Sequence, residues 1–581
     1  MTKGLVKDTL SYKSGDPTPG STKIRAAEYD EREGNSTMYA RAMLVLLSLS
    51  ALNAQVTFDR ILHADKEPQN WLTYSGTTLG QRYSPLKQIT PDNVKDLTMQ
   101  WAFQARSTEK FESTPLVVDG MMYVTQAPND VVALDAATGE IKWMYSYSVS
   151  RDARPCCGRI NRGLAILGNT LYMGTIDAHL IALDARDGKV LWDTEVAKAT
   201  SGYALTHAPL IVKDKVIMGV AGGEFGIRGF IAAFNASTGK EAWRFYTIPG
   251  KGEPGNETWA GDSWKTGGSS VWVTGSYDPD LNLTYWGIGN PGPDWNGDHR
   301  AGDNLYSDCV VALDADTGKL KWYFQFTPHD NFDYDAVQVP VLADLQWPGA
   351  AGPAGSRKVM LWANRNGYFY ALDRTTGKFL LGKPFVKVTW STGLDETGRP
   401  MRINSVEPTE AGTDIYPSQT GGTNWYSPSF SPRTGLFYVS AWEHVHGKFQ
   451  KAEGPYEEGK RFTGGGVQPT RGGTRGPQVT KVDPEDGFGV VRALDPKTGE
   501  LKWEFPMPDV TASGILTTAS DVLFTGGRQG YFHALDARTG KLLWKVTAGG
   551  EIAMGPMTYE VNGKQYVAFA AGSSLFTFAL K

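Results

Sequence analysis

The chain has 581 residues, of which 41% are hydrophobic and 21% charged, an ordinary composition for a globular protein. Its formal net charge of −4 excludes a basic field that would attract nucleic acid or an anionic membrane surface. The 67 glycines and 18 tryptophans favour many short strands joined by tight turns over long helices.

Residues 1–54 have the features of a leader. A polar stretch is followed by Arg41, a short apolar run over residues 42–52, and the small residue Ala54. This order is typical of a signal peptide, and the run is too short for a stable transmembrane helix. We therefore expect Met38 to be the true start, cleavage near Ala54, and a soluble protein exported to the periplasm. A buried helix is the alternative.

A pattern of the form Ala-Leu-Asp-x-x-Thr-Gly-Lys/Glu-x-x-Trp occurs seven times, with one asparagine at the Asp position. The Asp or Asn side chain bonds the turn backbone and the glycine supplies a positive φ, so each copy predicts strand, turn and strand. Most copies are spaced by the roughly 40–50 residues of a four-stranded propeller blade, and two longer gaps must hold insertions. The turn glycines and the residues at the Trp position are Gly139 and Trp143, Gly188 and Trp192, Gly239 and Trp243, Gly318 and Trp322, Gly377 and Leu381, Gly499 and Trp503, Gly540 and Trp544.

Trp101 lies in a similar strand position before the first copy, but without the turn. It predicts an eighth unit that N- and C-terminal strands complete, because an open ring would leave sheet edges exposed. The fold class that we expect is all-β: an eight-bladed β-propeller with tryptophan-docking repeats, formed by residues 55–581 as a single domain. A flat β-solenoid and an array of sandwiches are the alternatives, and both fit repeats with one tryptophan each less well.

Two adjacent cysteines, Cys156 and Cys157, stand out from the repeat. In an exported chain such a pair forms either a vicinal disulfide or two buried thiols, and the residues alone leave both open. Trp272, in Gly-Gly-Ser-Ser-Val-Trp, and Arg365, in Ala-Asn-Arg-Asn-Gly-Tyr, would by themselves be core or surface residues.

A second group consists of oxygen-bearing side chains in glycine-rich or turn-like segments. Glu224, Asn290, Asp333 and Asp335 are its members. Carboxylate and amide oxygens suit a hard cation such as calcium. The same residue types also cap turns without any metal, so the pattern alone does not decide between the two.

Taken together, these segments resemble the quinoprotein alcohol dehydrogenases, which use pyrroloquinoline quinone (PQQ). The resemblance runs from about Trp71 to the C terminus and keeps the order of the repeats. The segments that carry it are Glu112-Ser-Thr-Pro-Leu, Cys156-Cys157-Gly-Arg-Ile-Asn-Arg162-Gly, Gly223-Glu224-Phe-Gly-Ile-Arg-Gly, Gly289-Asn290-Pro, Pro328-His-Asp and Gly422-Thr-Asn424-Trp425.

The resemblance implies that PQQ is bound near the ring axis, between a disulfide of Cys156 with Cys157 and the ring of Trp272. Polarisable sulfur and an aromatic face suit a flat quinone. Ala221 stands where some relatives have serine, which puts one side-chain contact in doubt. The other cofactor-binding residues that the resemblance implies are Glu112, Arg162, Thr206, Gly222, Gly223, Arg365, Asn424 and Trp425.

The resemblance also implies a metal ion held by Glu224, Asn290 and Asp333. Asp333 is the implied catalytic base for the alcohol hydroxyl, Arg365 the implied hydrogen-bond donor beside the quinone, and the metal the Lewis acid. Asp335 completes the Asp-x-Asp pattern of lanthanide-dependent members, whereas calcium-dependent members usually lack this acid. We therefore expect Asp335 to be a fourth ligand and the ion to be a lanthanide, with calcium as the alternative.

The expected function is oxidation of primary alcohols to aldehydes. No Cys-x-x-Cys-His motif for a c-type haem is present, so the chain resembles the haem-free type that passes electrons to a separate soluble cytochrome c. A PQQ-dependent sugar or aldehyde dehydrogenase and a non-catalytic propeller scaffold are the alternatives. A scaffold has no need of the cysteine pair or of the acids. The sequence names neither the alcohol nor the oligomeric state, and a homodimer stays open.

Overall fold

The computed structural model describes residues 55–349, 355–469 and 487–581, so the predicted leader lies outside the described residues. The described chain is all-β, which confirms the expected class. Its single α-helix, Phe58–Leu62, has five residues, and no described helix is long and apolar enough to cross a membrane. The described 3₁₀ segments are Ala64–Lys66, Val94–Asp96, Ala199–Ser201, Gly223–Phe225, Asn256–Thr258 and Ser263–Thr266.

Within these ranges, eight sheets each contain four antiparallel strands, and we number the sheets along the chain. Sheet 1 contains Leu116–Val118, Met121–Gln126, Asp130–Asp135 and Ile141–Tyr145. Sheet 2 contains Ala165–Leu167, Thr170–Gly174, His179–Asp184 and Val190–Glu195. Sheet 3 contains Leu210–Val212, Lys215–Gly219, Phe230–Asn235 and Glu241–Tyr246. Sheet 4 contains Ser276–Asp278, Leu283–Gly287, Cys309–Asp314 and Leu320–Gln325.

The second half of the chain repeats this arrangement. Sheet 5 contains Val341–Gln346, Ser356–Ala363, Tyr368–Asp373 and Phe379–Pro384. Sheet 6 contains Ser429–Ser431, Leu436–Glu443, Phe488–Leu494 and Leu501–Met507. Sheet 7 contains Leu516–Thr518, Val522–Gly526, Tyr531–Asp536 and Leu542–Thr547, with Tyr83–Ser84 added in parallel at its edge. Sheet 8 contains Met557–Val561, Lys564–Ala571, Ser574–Leu580 and Leu97–Gln104.

Sheet 8 joins strands from both ends of the described chain. Leu97–Gln104 runs antiparallel to Ser574–Leu580, with Trp101 opposite Thr577. Two small sheets lie in the long interval between sheet 5 and the third strand of sheet 6. They are formed by Ser391–Leu394 with Pro400–Arg402, and by Thr413–Ile415, Gly447–Lys451 and Gly465–Pro469.

The two ends of the strands define two opposite sides of each sheet, and we use the word edge for these sides. Since consecutive strands are antiparallel, the turn between the third and fourth strands lies at the edge opposite the loop between the second and third. The loop that leaves the fourth strand for the next sheet begins at the same edge as that second-to-third loop. We call this the loop edge, and the edge with the third-to-fourth turn the turn edge. The repeated Asp and Gly residues, such as Asp135 and Gly139, lie at the turn edge, where Gly139 N–H bonds Asp135 O at 2.8 Å.

Tryptophans of one sheet contact the turn of the following sheet. In five cases the indole N–H donates to the carbonyl of the alanine after the turn Asp or Asn. A methyl group on the turn glycine would overlap the tryptophan ring of the preceding sheet, as for Gly540 against Trp503. Leu381 breaks the pattern, and Gly499 faces Lys383 instead. The five bonds, at 3.0–3.2 Å, are Trp101 to Ala136, Trp143 to Ala185, Trp192 to Ala236, Trp243 to Ala315 and Trp503 to Ala537.

The contact between Trp503 and Gly540 leads to a prediction about stability. Gly540→Ala adds a methyl group against the Trp503 ring at a backbone φ of +72°. Gly435→Ala is the matched control, because Gly435 has a φ of +67° but no atom within 4 Å of the added Cβ. The control should cost about 1–2 kcal/mol of unfolding free energy from backbone strain, and Gly540→Ala about 1–3 kcal/mol more from overpacking. Chemical denaturation measures both, and equal losses would contradict the contact.

Candidate active site

The predicted site residues all lie at the loop edge. Gly222, Gly223 and Glu224 lie between the second and third strands of sheet 3, and Asn290 and Arg365 lie between those of sheets 4 and 5. The others follow the fourth strand of one sheet and precede the first strand of the next. These are Glu112, Cys156, Cys157, Arg162, Thr206, Trp272, Asp333, Asp335, Asn424 and Trp425. The regular turns therefore lie at the turn edge, and the candidate catalytic and binding residues lie at the loop edge.

The two adjacent cysteines, Cys156 and Cys157, form a disulfide, as the resemblance implied. Cys157 is exposed and Cys156 half-buried, so the pair is accessible. Glu224 Oε1 lies 3.5 Å from Cys157 Sγ. Among the described His, Cys, Asp and Glu residues, these three are the set whose ligand atoms all lie within 4.8 Å of one another. The disulfide and one predicted metal ligand are thus direct neighbours.

Arg162 is the centre of a buried polar group. Its Nη2 forms an ion pair with Glu112 Oε2 at 3.0 Å, and its Nη1 donates to Thr206 Oγ1 at 3.3 Å. The guanidinium carbon lies 5.1 Å from the centroid of the Trp272 ring and 4.4 Å from that of Trp425. Cation–π attraction at these distances holds the guanidinium between the two indoles. The structure therefore brings together five residues that were predicted as cofactor contacts.

Asp335 is the most densely bonded of the predicted metal ligands. Its Oδ1 accepts the backbone N–H of Asn290 at 2.7 Å. Its Oδ2 accepts the indole N–H of Trp272 at 3.2 Å and a hydrogen bond from Arg365 Nη1. A buried carboxylate is costly unless it is paired and hydrogen-bonded, and Asp335 satisfies both conditions. It links a predicted metal ligand, the predicted stacking ring and the predicted hydrogen-bond donor.

Asp333 lies on the other side of the same guanidinium. Its Oδ2 is 3.2 Å from Arg365 Nη2, and its side chain keeps 24% of its accessible surface. The backbone at Asp333 has a φ of +61°, an uncommon conformation for a residue other than glycine that is concentrated at functional sites. Arg365 also donates to the carbonyl of Gln419. Asp333 is therefore a partly accessible carboxylate held beside a fixed cation.

Two glycines are required by close approach at this edge. A Cβ on Gly289 would overlap Asp335 Oδ1, so the residue before Asn290 must be glycine for the carboxylate to reach the Asn290 N–H. A Cβ on Gly222 would overlap the carbonyl of Gly202, and Gly222 has a φ of +117°. Gly223 begins the 3₁₀ turn that presents Glu224.

Negative charge accumulates around these residues. Burial is the largest cause that raises the pKa of Glu224, and the charge of Asp335 adds to it. Burial likewise raises the pKa of Asp335, against the opposing charge of Arg365. Burial raises the pKa of Asp333 well above its usual range, and the charges of Asp335, Asp294 and Glu224 act in the same direction. Several carboxylates thus lie in one buried region, where the repulsion between their charges favours a bound cation.

Asn424 and Trp425 complete the set from the loop before sheet 6. Asn424 Nδ2 donates to Thr420 O at 2.9 Å, and its Oδ1 accepts the backbone N–H of Trp425, also at 2.9 Å. Gln338 donates to the Asn424 carbonyl. These bonds fix Trp425 against Arg162.

Sequence reasoning missed Asp294, which the structure brings to the same region. Burial raises its pKa well above the usual range, and the charge of Glu224 is the next cause. In the sequence Asp294 follows Gly-Pro and is typical of a turn, so no local signal marks it.

Two contacts from the interval after sheet 5 were also missed. Arg461 Nη2 donates to the Cys156 carbonyl at 2.6 Å, and the Phe462 N–H donates to the Glu224 carbonyl at 2.7 Å. The partners are more than 230 residues apart in sequence, so no spacing rule connects them.

The donor set fits an anionic, flat group and a hard cation. Arg162 Nε and Arg365 Nε are buried and have no hydrogen-bond partner among the described residues. Guanidinium donors of this kind suit carboxylates. Trp272 is half-buried and offers part of its ring surface beside them. Carboxylate and amide oxygens at Glu224, Asn290 and Asp333 suit a calcium-like or lanthanide ion.

Comparison with known proteins extends this description. A family model described as glucose/ethanol/alcohol dehydrogenase, β-propeller domain, matches residues 71–400, and one described as outer membrane protein assembly factor BamB matches residues 465–579. The quinoprotein alcohol dehydrogenase PedH of Pseudomonas putida is 39% identical over 553 residues, 91% of this chain and 90% of PedH. A lanthanide-dependent methanol dehydrogenase of Methylacidiphilum fumariolicum is 37% identical, over 93% of this chain and 90% of that protein.

A solved structure of a europium-containing methanol dehydrogenase matches with a TM-score of 0.83 at 34% identity, covering 90% of this chain and 100% of that one. Fold and matches together define a β-propeller protein of the quinoprotein class. The chain belongs to the family of PQQ-dependent alcohol dehydrogenases.

The hydrogen bonds of Asp335 lead to a second prediction about stability. Asp335→Asn replaces one carboxylate oxygen by an N–H₂ group, which meets a donor in either orientation of the amide: the Trp272 indole with Arg365, or the Asn290 N–H. It also removes a buried charge partner of Arg365. We expect a loss of about 3 kcal/mol of unfolding free energy in the metal-free protein. Asp303→Asn is the control, because Asp303 pairs with Arg399 at the surface and should cost under about 1 kcal/mol. Equal losses in the two variants would contradict the role of Asp335.

Proposed function

We propose that this protein oxidises primary alcohols to aldehydes with bound PQQ and one metal ion, and passes electrons to a separate cytochrome c. The observation that carries the proposal is the convergence of the Cys156–Cys157 disulfide, Arg162 and the Asp333–Arg365 pair at one edge of the sheets. Family membership supports alcohol as the substrate class. The proposal of a separate cytochrome c as electron acceptor rests on the absence of a Cys-x-x-Cys-His motif from the sequence.

We also propose that sheets 1 to 8 are the eight blades of one closed propeller ring over residues 55–581. The indole contacts between consecutive sheets support this, as does the pairing of Leu97–Gln104 with Ser574–Leu580. Residues 1–54 are proposed to be a leader with a signal peptide, which would place the mature protein in the periplasm.

The cofactor would be held by side chains from several loops. PQQ supplies the two-electron redox chemistry when bound. The disulfide and Trp272 would contact its faces, and Arg162, oriented by Glu112 and Thr206, would bind carboxylate. The remaining proposed contacts are Gly222, Gly223, Arg365, Asn424 and Trp425.

Asp333 would take the proton from the substrate hydroxyl. Its carboxylate is partly accessible, and the Arg365 guanidinium at 3.2 Å fixes its position and favours its ionised form. Burial raises the pKa of Asp333, and the charges of Arg365 and of the proposed cation would hold its carboxylate in the ionised form that a base needs. The ionised form and the fixed orientation would both serve proton abstraction.

The metal would be held by Glu224, Asn290, Asp333 and Asp335. A carboxylate has about four lone-pair positions, and the hydrogen bonds of Asp335 use three, so it keeps one for a cation. We propose a lanthanide over calcium because of this additional carboxylate. The names of two similar proteins, the lanthanide-dependent and the europium-containing methanol dehydrogenases, support this choice.

Two other functions remain as outcomes of the same test. A sugar or aldehyde dehydrogenase would use the same cofactor with another substrate, and the matching family model includes glucose in its description. A non-catalytic scaffold would have no use for the buried charged groups of Arg162 and Asp335, whose burial costs stability.

A dye-linked assay tests the proposal. The purified protein is reconstituted with PQQ and metal, and dye reduction is measured with methanol, ethanol, longer alcohols and glucose. We expect reduction with primary alcohols. Reduction with glucose alone would favour the sugar dehydrogenase, and no reduction with any substrate would refute the enzyme.

Asp333→Asn provides the residue-level arm of this test. It keeps the shape of the side chain but cannot accept the proton, so kcat should fall by about 10²–10⁴. PQQ absorbance per chain should be unchanged, and Asp303→Asn, whose charge lies at the surface, should retain full activity. An Asp333→Asn enzyme with wild-type kcat would show that another group is the base.

The metal preference is tested with the same protein loaded with La³⁺ or Ca²⁺. A trivalent ion is the stronger Lewis acid, and Asp335 adds the charge that it favours. We expect higher kcat with La³⁺, and loss of that advantage in Asp335→Ala. Full activity with Ca²⁺ that Asp335→Ala leaves unchanged would contradict the lanthanide proposal.

A further inference from the structure

Residues 154–160 carry the disulfide of Cys156 with Cys157 and lie outside any helix or strand. Among the described residues, one hydrogen bond reaches this stretch: Arg461 Nη2 donates to the Cys156 carbonyl oxygen at 2.6 Å. Glu224 Oε1 also contacts Cys157 Sγ at 3.5 Å, but a disulfide sulfur has no proton to donate. Arg461 is therefore the polar anchor of the disulfide.

The backbone that carries Arg461 is itself held in place. We call residues 456–462 the bridging segment. The Phe462 N–H, directly after Arg461, donates to the Glu224 carbonyl at 2.7 Å. A Cβ on Gly459 would overlap the Thr200 carbonyl, so the two backbones pass close to each other there. The guanidinium of Arg461 thus extends from a chain that other loops fix on both sides.

Side chains of the bridging segment add further contacts. The rings of Tyr456 and Phe462 meet edge to face, with centroids 5.5 Å apart. Both rings pack on Gly226, where a Cβ would overlap Tyr456. Ser201 Oγ donates to Glu458 Oε1 at 2.5 Å. These contacts hold the bridging segment against the loops that precede and interrupt sheet 3.

Two consecutive residues of the bridging segment bind two separate parts of the candidate site. Arg461 binds the Cys156 carbonyl, in the loop between sheets 1 and 2, and Phe462 binds the Glu224 carbonyl, in the loop within sheet 3. Cys157 Sγ and Glu224 Oε1 lie 3.5 Å apart across these loops. The bridging segment therefore joins the proposed cofactor face to a proposed metal ligand.

We infer that Arg461 is a positioning residue for the proposed PQQ site: its hydrogen bond to the Cys156 carbonyl holds the disulfide where one face of the cofactor would lie. This inference rests on the proposed function, since it concerns the same cofactor site. Without the bond, residues 154–160 would gain conformational freedom. PQQ binding would have to restrict that freedom again, which lowers affinity.

Reduction of the disulfide in the full-length protein without PQQ tests the anchor independently of activity. Dithiothreitol thiolate attacks a disulfide sulfur at a rate that depends on access, and alkylation with mass spectrometry counts the thiols released at Cys156 and Cys157. Arg461→Met removes the donor and should raise the rate constant about three- to tenfold. Loss of positive charge alone would slow an anionic thiolate, so an increase reports the lost bond.

PQQ binding tests the link from the anchor to the cofactor. The full-length protein is dialysed to equilibrium against PQQ with La³⁺ in all buffers, and bound PQQ is determined from its absorbance. Arg461→Met should raise the Kd for PQQ about three- to tenfold. Arg461→Lys keeps a donor and the charge at this position, and should recover most of both effects.

Lys460→Met is the matched control. Lys460 is exposed like Arg461 and precedes it in the bridging segment, but its ammonium pairs with Glu457 and makes no bond to residues 154–160. Both the reduction rate and the Kd should stay at the wild-type values. Equal changes from Lys460→Met would show that only general positive charge matters, and would overturn the inference.

Two further results separate this inference from the proposed function. If the wild type binds PQQ but Arg461→Met keeps the wild-type reduction rate or the wild-type Kd, the cofactor site stands and Arg461 does not position it. If the wild type binds no PQQ, the proposed function and this inference both fail.

Discussion

The contact between a tryptophan and the turn of the following sheet is the interaction on which the remaining architecture depends. It recurs from Trp101 to Trp503, and in each case the turn glycine leaves room for the ring. Because this contact lies at the turn edge, it fixes neighbouring sheets without using the loop edge. Loops there can differ in length and composition, and the candidate catalytic residues occur in them.

At the loop edge, Asp335 holds the parts of the candidate site together, as the tryptophan contacts hold neighbouring sheets together. One carboxylate binds the Trp272 indole, the Asn290 backbone and Arg365, so the predicted stacking ring, a metal ligand and the partner of Asp333 share one anchor. A change in charge at this position affects all three together. The proposed cofactor contact at Trp272 and the proposed metal ligands are therefore physically linked in this chain.

The fold was more predictable from sequence than the site, because turn chemistry is local. Asp135 and Gly139 lie four residues apart, and their pattern predicts the turn directly. Leu381 shows that the repeat tolerates one departure at the Trp position. Contacts such as Arg162 with Trp272, or Phe462 with Glu224, join residues far apart in sequence. The roles of Arg162 and Trp272 could be proposed only through the family resemblance. Phe462 and Asp294, which the resemblance does not include, required the structure.

The most direct test of the account is an anomalous-difference map from crystals of the protein loaded with PQQ and La³⁺. We expect one strong peak within about 2.6 Å of oxygens from Glu224, Asn290 and Asp333, with the Trp272 indole still bonded to Asp335. A peak elsewhere, or a cation site that does not include Glu224 and Asp333, would contradict it.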